Sequence, residues 1–222
     1  MLIQIYEITT PEEAAALSAM GVDHIGLLVG EGEFPRELSV ARARQIFAAV
    51  TGGARRCALS LTGDVERIEH IAAALAPDIM HLGAAPERLS PGALRKLKVQ
   101  FPGIQLMRSI PVAGEESIAL AHSYEGVADF LLLDSYRAGD DQIGALGVPH
   151  DWELDRRIVE SVGIPVIIAG GLGPDNVAQA IRASRPAGVD SKTLTDRPDG
   201  SHTKDLEKVR AFVLRARQHY TR

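Results

Sequence analysis

The run Ile167-Ile168-Ala169-Gly170-Gly171-Leu172-Gly173-Pro174-Asp175-Asn176-Val177 joins an apolar strand to an amphipathic helix through paired glycines. Glycines let a backbone approach an anion closely, and the free N–H groups of a helix start face it. Pro174 suits a first helical position. A phosphate fits such a turn. Other ionisable or polar residues end strand-like runs elsewhere: Tyr6 and Glu7, His81, Arg108, Asp134, and Ser191, Lys192 and Thr193 after Asp190. Arg36 lies in the loop after the second run. An acid and a base set around one phosphorylated ligand would move protons on and off it.

Such residues work together only if the fold brings the strand ends to one place. Strand-like runs lie at 2–6, 24–29, 57–61, 79–82, 104–107, 130–134, 165–169 and 188–190. Helical periodicity follows near 12–20, 40–50, 65–74, 91–98, 116–124, 152–161, 175–183 and 205–217. This alternation predicts an α/β fold with a parallel sheet. Eight units in 222 residues fit one (β/α)8 TIM barrel over 1–222, as a single domain. A doubly wound open sheet is the alternative. It would carry a glycine fingerprint after the first strand, and Tyr6-Glu7-Ile8-Thr9 is not one.

Composition narrows the function. A hydrophobic content of 45% supports one sizeable core. The net charge of −5, with both signs interspersed, suggests no nucleic-acid or membrane partner. The start, Met1-Leu2-Ile3-Gln4-Ile5, has no basic region or long apolar run, so a cytoplasmic protein is expected. The single Cys57 lies early in its strand and reads as a small buried hydrophobe rather than a nucleophile. No histidine has metal-ligand spacing, so no metal is expected, and no cofactor is called for.

In a barrel, chemistry gathers at the C-terminal strand ends. The long loops 30–38 and 135–150 are candidate lids over that face. Arg36 could clamp a carboxylate or phosphate, or simply pair with Glu33 or Glu37. Lys192 could meet a phosphate or lie exposed in a polar loop. Trp152 reads as a helix anchor.

At these residues the chain resembles the phosphoribosylanthranilate isomerase family, ribulose-phosphate-binding barrels of tryptophan biosynthesis. Leu131-Leu132-Leu133-Asp134 is similar to the sixth strand, which ends in the family's general acid. Gly144-Ala145-Leu146-Gly147, with His150-Asp151-Trp152, resembles a glycine-rich loop and helix start, which implies substrate contacts at Gly144 and Gly147. Ala169-Gly170-Gly171-Leu172, then Pro174, Asn176 and Val177, resembles the seventh loop. Gly188-Val189-Asp190 and Lys204-Asp205 resemble the last unit, and Pro35-Arg36 the substrate-binding arginine. The resemblance implies a phosphate site at Gly170, Gly171, Asp190, Ser191, Lys192 and Thr193. It implies substrate binding at Arg36, and Arg108, at a strand end, is a further candidate for substrate binding. The small-molecule partner would be a phosphorylated sugar or ribosylamine, and the protein a monomer or homodimer.

The departures lie on the side of the base. The family's first strand ends Lys-Ile-Cys-Gly, with the cysteine as base; here the residues are Gln4-Ile5-Tyr6-Glu7. The family reaction is an Amadori rearrangement, an aldose–ketose isomerisation, with Asp134 as the implied acid if burial keeps it protonated. Tyr6, Glu7 and His81 are the candidate bases. A phenol with a pKa of about 10 is ionised in only about one molecule in a thousand at pH 7. Glu7 alternates away from Tyr6 if the strand continues, and His81 has the most suitable ordinary pKa. The expectation is an isomerase of this type, with a possibly altered substrate. The alternatives are a phosphosugar lyase or aldolase using Lys192 as a Schiff base, or a non-catalytic phosphosugar-binding barrel.

Overall fold

The computed structural model describes residues 1–136, 143 and 151–218. Its strands are β1 (Leu2–Ile5), β2 (His24–Leu28), β3 (Arg55–Ser60), β4 (Ile79–Leu82), β5 (Gln105–Pro111), β6 (Phe130–Asp134), β7 (Val166–Ile168) and β8 (Gly188–Ser191). The helices are α1 (Pro11–Ala19), α2 (Val40–Phe47), α3 (Val65–Leu75), α4 (Pro91–Gln100), α5 (Glu116–Ser123), α6 (Trp152–Ser161), α7 (Val177–Ser184) and α8 (Leu206–Gln218). All strand pairs are parallel, and β1 pairs with both β2 and β8. That closure gives a (β/α)8 barrel and rules out the open sheet. No described helix is long and apolar enough to cross a membrane.

Local sequence accounts for most helix starts. Thr10, Ser39, Asp64, Ser90 and Asp151 each accept an N–H from the first turn of the helix that follows. Each satisfies a donor that the helix leaves unpaired. Pro11 and Pro91 occupy positions where a missing N–H costs nothing.

Period-two alternation divides the strand side chains between two apolar regions. The larger region lies between barrel and helices, with Ile3, Ile5, Leu27, Leu131, Val189 and Phe212 fully buried there. The smaller fills the barrel and holds Cys57, Ile79, Met107, Phe130, Leu132 and Ile167 beneath Tyr6. Trp152 packs on the larger region, as a helix anchor would.

The fifth strand runs on to Pro111 instead of stopping near 107. Arg108 is therefore mid-strand and faces the helices, not the substrate. It is fully buried, and its Nη1 donates to the carbonyls of Leu82 at 2.8 Å and Ala84 at 2.7 Å. Its guanidinium carbon lies 5.1 Å from the centre of the Tyr124 ring. Arg108, expected at the substrate, does not line the cavity at the C-terminal strand ends. A charged residue after an apolar run had the look of a strand end, whereas here it holds the β4 loop against α5.

Gly26 makes room for the ring that closes the barrel interior. A methyl group there would lie 2.2 Å from Tyr6 Cδ1. Gly26→Ala should cost about 1–3 kcal/mol through overpacking. Thermal unfolding followed by circular dichroism should show a Tm lower by roughly 2–10 °C; an unchanged Tm would contradict the packing.

Candidate active site

A cavity of about 350 Å³ opens at the C-terminal ends of the strands. Tyr6, Glu7, His81, Ser109, Asp134, Asp190 and Lys192 line it, with the backbone at Gly170, Gly171, Ser191 and Thr193. Leu28, Leu59, Leu61 and Leu132 give it an apolar wall. This size and mixture suit a small ligand with one aromatic part and a few polar groups.

The phosphate corner is built from the β7 and β8 loops. Gly170 and Gly171 have φ of 77° and 61°, a conformation that favours glycine. α7 starts at Val177, later than position 175, because Pro174 belongs to the preceding turn. Asn176 shapes that turn: its Oδ1 accepts from Gly173 N–H and its Nδ2 donates to Gly171 O, both at 2.8 Å. Ser191 Oγ donates to Leu172 O at 2.7 Å, stitching the two loops together. The Ser191 hydroxyl is thus already donating within the protein. The N–H groups of Gly171, Lys192 and Thr193 have no acceptor among the described residues.

A buried ion pair holds the β8 loop. Lys204 Nζ lies 2.5 Å from Asp196 Oδ1 and donates to Lys192 O at 3.0 Å. The Lys204 N–H donates to Glu13 at the start of α1. The stretch after Lys192 is therefore an organised platform instead of a free polar loop.

The base side is closed off. Tyr6 is 3% exposed, and its hydroxyl lies 2.5 Å from His81 Nδ1 and 3.0 Å from Cys57 Sγ. His81 Nε2 lies 2.8 Å from Ser109 Oγ. Every atom finds a partner if Tyr6 donates to Nδ1 and the imidazole proton sits on Nε2. Burial raises the Tyr6 phenol well above its usual range and pushes Cys57 up to about 12. Burial also pushes His81 down to about 3, helped by the charge of Arg108. In the free protein, neither Tyr6 nor His81 is poised to take a proton. Ser109, which the sequence reading overlooked, faces the cavity because β5 continues one pleat past Met107.

Glu7 leaves the strand with φ 59° and turns into the cavity mouth. Its carboxylate lies 2.5 Å from Arg36 Nε and 2.7 Å from Lys192 Nζ. Those two cations hold its pKa below the ordinary carboxylate value despite burial. Arg36 thus pairs with Glu7, not with Glu33 or Glu37. Glu33 pairs with Arg67, and Glu37 accepts the N–H groups of Gly32 and Glu33.

Two carboxyls face the remaining space. Asp134 Oδ1 accepts the Ser135 N–H at 2.7 Å. Asp190 is 7% exposed, and its Oδ1 has no hydrogen-bond partner among the described residues. Burial and then the charge of Asp134 push Asp190 up to about 8. Sequence spacing had placed Asp190 with the phosphate contacts; the pleat instead points it into the barrel below them. Gly144 and Gly147 lie outside the described residues.

The family described as N-(5'phosphoribosyl)anthranilate (PRA) isomerase matches residues 4–215. An N-(5'-phosphoribosyl)anthranilate isomerase of Methanocella arvoryzae is 36% identical over 216 residues, 97% of each chain. The structure of a phosphoribosyl anthranilate isomerase from Thermus thermophilus superposes with a TM-score of 0.81 at 22% identity, covering 99% of this chain and 100% of that one. Another phosphoribosyl anthranilate isomerase, in complex with reduced 1-(o-carboxyphenylamino)-1-deoxyribulose 5-phosphate, gives 0.79 at 23% identity, covering 98% and 100%.

The buried histidines make the fold sensitive to acid. Burial, then the Arg55 charge, pushes His24 down to about 4, and His81 sits at about 3. Both are neutral when folded but gain a proton when unfolded below about pH 6.5. Stability present above that pH is lost as pH falls, by up to roughly 1.4 kcal/mol per pH unit for each histidine. Tm should drop between pH 7 and pH 5, less steeply in His81→Gln; equal slopes would contradict a neutral buried His81.

Proposed function

Because the chain belongs to the N-(5'-phosphoribosyl)anthranilate isomerase family, we propose that this pocket carries out the Amadori rearrangement of a 5-phosphoribosylated amine. An acid protonates the ring oxygen and the ring opens to an iminium. A base then removes the C2 proton, and the enolamine tautomerises to the aminoketone. The isomerisation needs a proton donor and a proton acceptor around one sugar, with no net consumption of either.

The observation that carries this reading is the pair of carboxyls, Asp134 and Asp190, facing one cavity beside unspent loop N–H groups. Burial and the Asp134 charge keep a proton on Asp190 up to about pH 8 in the free protein. Asp134 is assigned as the acid once that proton passes to it, which leaves Asp190 as the base. β8 neighbours β1 in the closed sheet, so Asp190 acts from the side where the family's cysteine would stand. With a pKa of about 8, its carboxylate has nearly the proton affinity of a thiolate. The N–H groups of Gly171, Lys192 and Thr193 are assigned to the phosphate. The leucine wall takes the aromatic amine.

Lys192 Nζ is tied to Glu7 and so is not free to attack a carbonyl, which argues against the Schiff-base alternative. The carboxyl pair argues against a purely binding role, because buried acids facing a cavity are costly unless used.

Purified protein should isomerise phosphoribosylanthranilate, its decarboxylated analogue phosphoribosylaniline, or both; turnover of neither rejects the reading. Asp134→Asn and Asp190→Asn should each lower kcat about 10²–10⁴-fold, whereas Tyr6→Phe should lose less than about tenfold. Activity should fall as pH rises through about 8, where the pair loses its last proton. An Asp190→Asn protein with near wild-type kcat would remove Asp190 from the mechanism.

A further inference from the structure

Lys192 lines the cavity, Arg36 reaches the cavity residue Glu7, and both cations already have that carboxylate as partner. Arg36 approaches Glu7 with two nitrogens, Nε at 2.5 Å and Nη2 at 3.3 Å. Lys192 Nζ completes the set at 2.7 Å. Two-nitrogen contact between a guanidinium and a carboxylate is the geometry by which arginine recognises a carboxylated ligand. Here the carboxylate belongs to the protein. Glu7 is 6% exposed while Arg36 and Lys192 are 34% and 25% exposed, so the carboxylate is the buried member of the cluster. Both Glu7 and Arg36 hold positive φ, 59° and 68°. Side-chain-bearing residues adopt that conformation only at a cost, and such outliers gather at functional sites.

Resting on the isomerase reading above, we propose that Glu7 occupies the carboxylate seat at Arg36 from within the chain, so that the pocket prefers phosphoribosylated aromatic amines lacking an ortho-carboxylate. A substrate carboxylate that takes this edge of Arg36 displaces Glu7 from two cations and leaves a buried, unpaired carboxylate beside itself. One that pairs elsewhere on the guanidinium sits beside the Glu7 charge. Removing a partner from a buried charge is costly, and like charges repel. An amine bearing hydrogen or a neutral group at that position leaves the Arg36–Glu7–Lys192 cluster intact. The aromatic ring then rests on the wall formed by Leu28, Leu59 and Leu61, which lines the same cavity as Glu7.

Calorimetric titration with two stable product analogues tests this. One is reduced 1-(o-carboxyphenylamino)-1-deoxyribulose 5-phosphate; the other is its counterpart made from aniline, without the carboxyl. Wild-type protein should bind the uncarboxylated analogue at least about tenfold more tightly, the discrimination expected from one unpaired charge. Glu7→Gly, which suits the left-handed backbone, frees Arg36 and should shift the ratio at least about tenfold toward the carboxylated analogue. Equal or tighter binding of the carboxylated analogue by wild type overturns the proposal. So does a wild-type preference that Glu7→Gly leaves unchanged. The wild-type ratio decides the matter even if the variant does not fold. Failure to isomerise either phosphoribosylamine is a separate result and strikes the isomerase reading itself.

Discussion

Closure of the sheet between β1 and β8 is the constraint from which the site follows. Leu2, Ile3, Gln4 and Ile5 pair in register with Gly188, Val189, Asp190 and Ser191. The Tyr6 N–H then donates to Ser191 O at 3.0 Å, extending the ladder by one step. That register sets Tyr6 level with Lys192, one step before Glu7 turns toward the Lys192 ammonium, and puts Asp190 beneath them. A slip of one residue would turn each inward side chain of β1 toward the helices. The cluster at the mouth and the carboxyl beneath it both depend on this one seam.

The interior below the mouth shows how the base side has been rebuilt. A tyrosine at the end of β1 is too long to sit where a cysteine would. It reaches across Gly26 to meet Cys57 on β3 and His81 on β4. That contact caps the apolar filling of the barrel and consumes three groups that could otherwise titrate. In the proposed reaction the proton handling falls to carboxyls on β6 and β8. These are the strands whose ends still face the open space.

Much of the barrel was legible from alternation alone, because strands closed on themselves must be apolar on both faces while amphipathic helices separate them. The glycine turn at Gly170 and Gly171, and the placement of Glu7, Asp134 and Lys192 on one mouth, followed from strand-end position. Other features were hidden for physical reasons. Arg108 could not be read as a buried structural cation, since its partners are carbonyls of another loop and the ring of Tyr124. Arg36, Glu7 and Lys192 come from three separate loops, and no spacing links them. Asp190 looked like part of a phosphate loop until the pleat pointed it inward. Helix α7 starts late because Asn176 bonds backward to Gly171 and Gly173 instead of capping forward, a choice that residue type does not announce.

The sole cysteine is sealed under an aromatic lid. Peroxides, mercurials and alkylating reagents act on exposed thiolates. A barrel whose only sulfhydryl is dry and protonated offers such agents no foothold at its working face. The thiol is therefore shielded from such reagents by where one phenol ring lies.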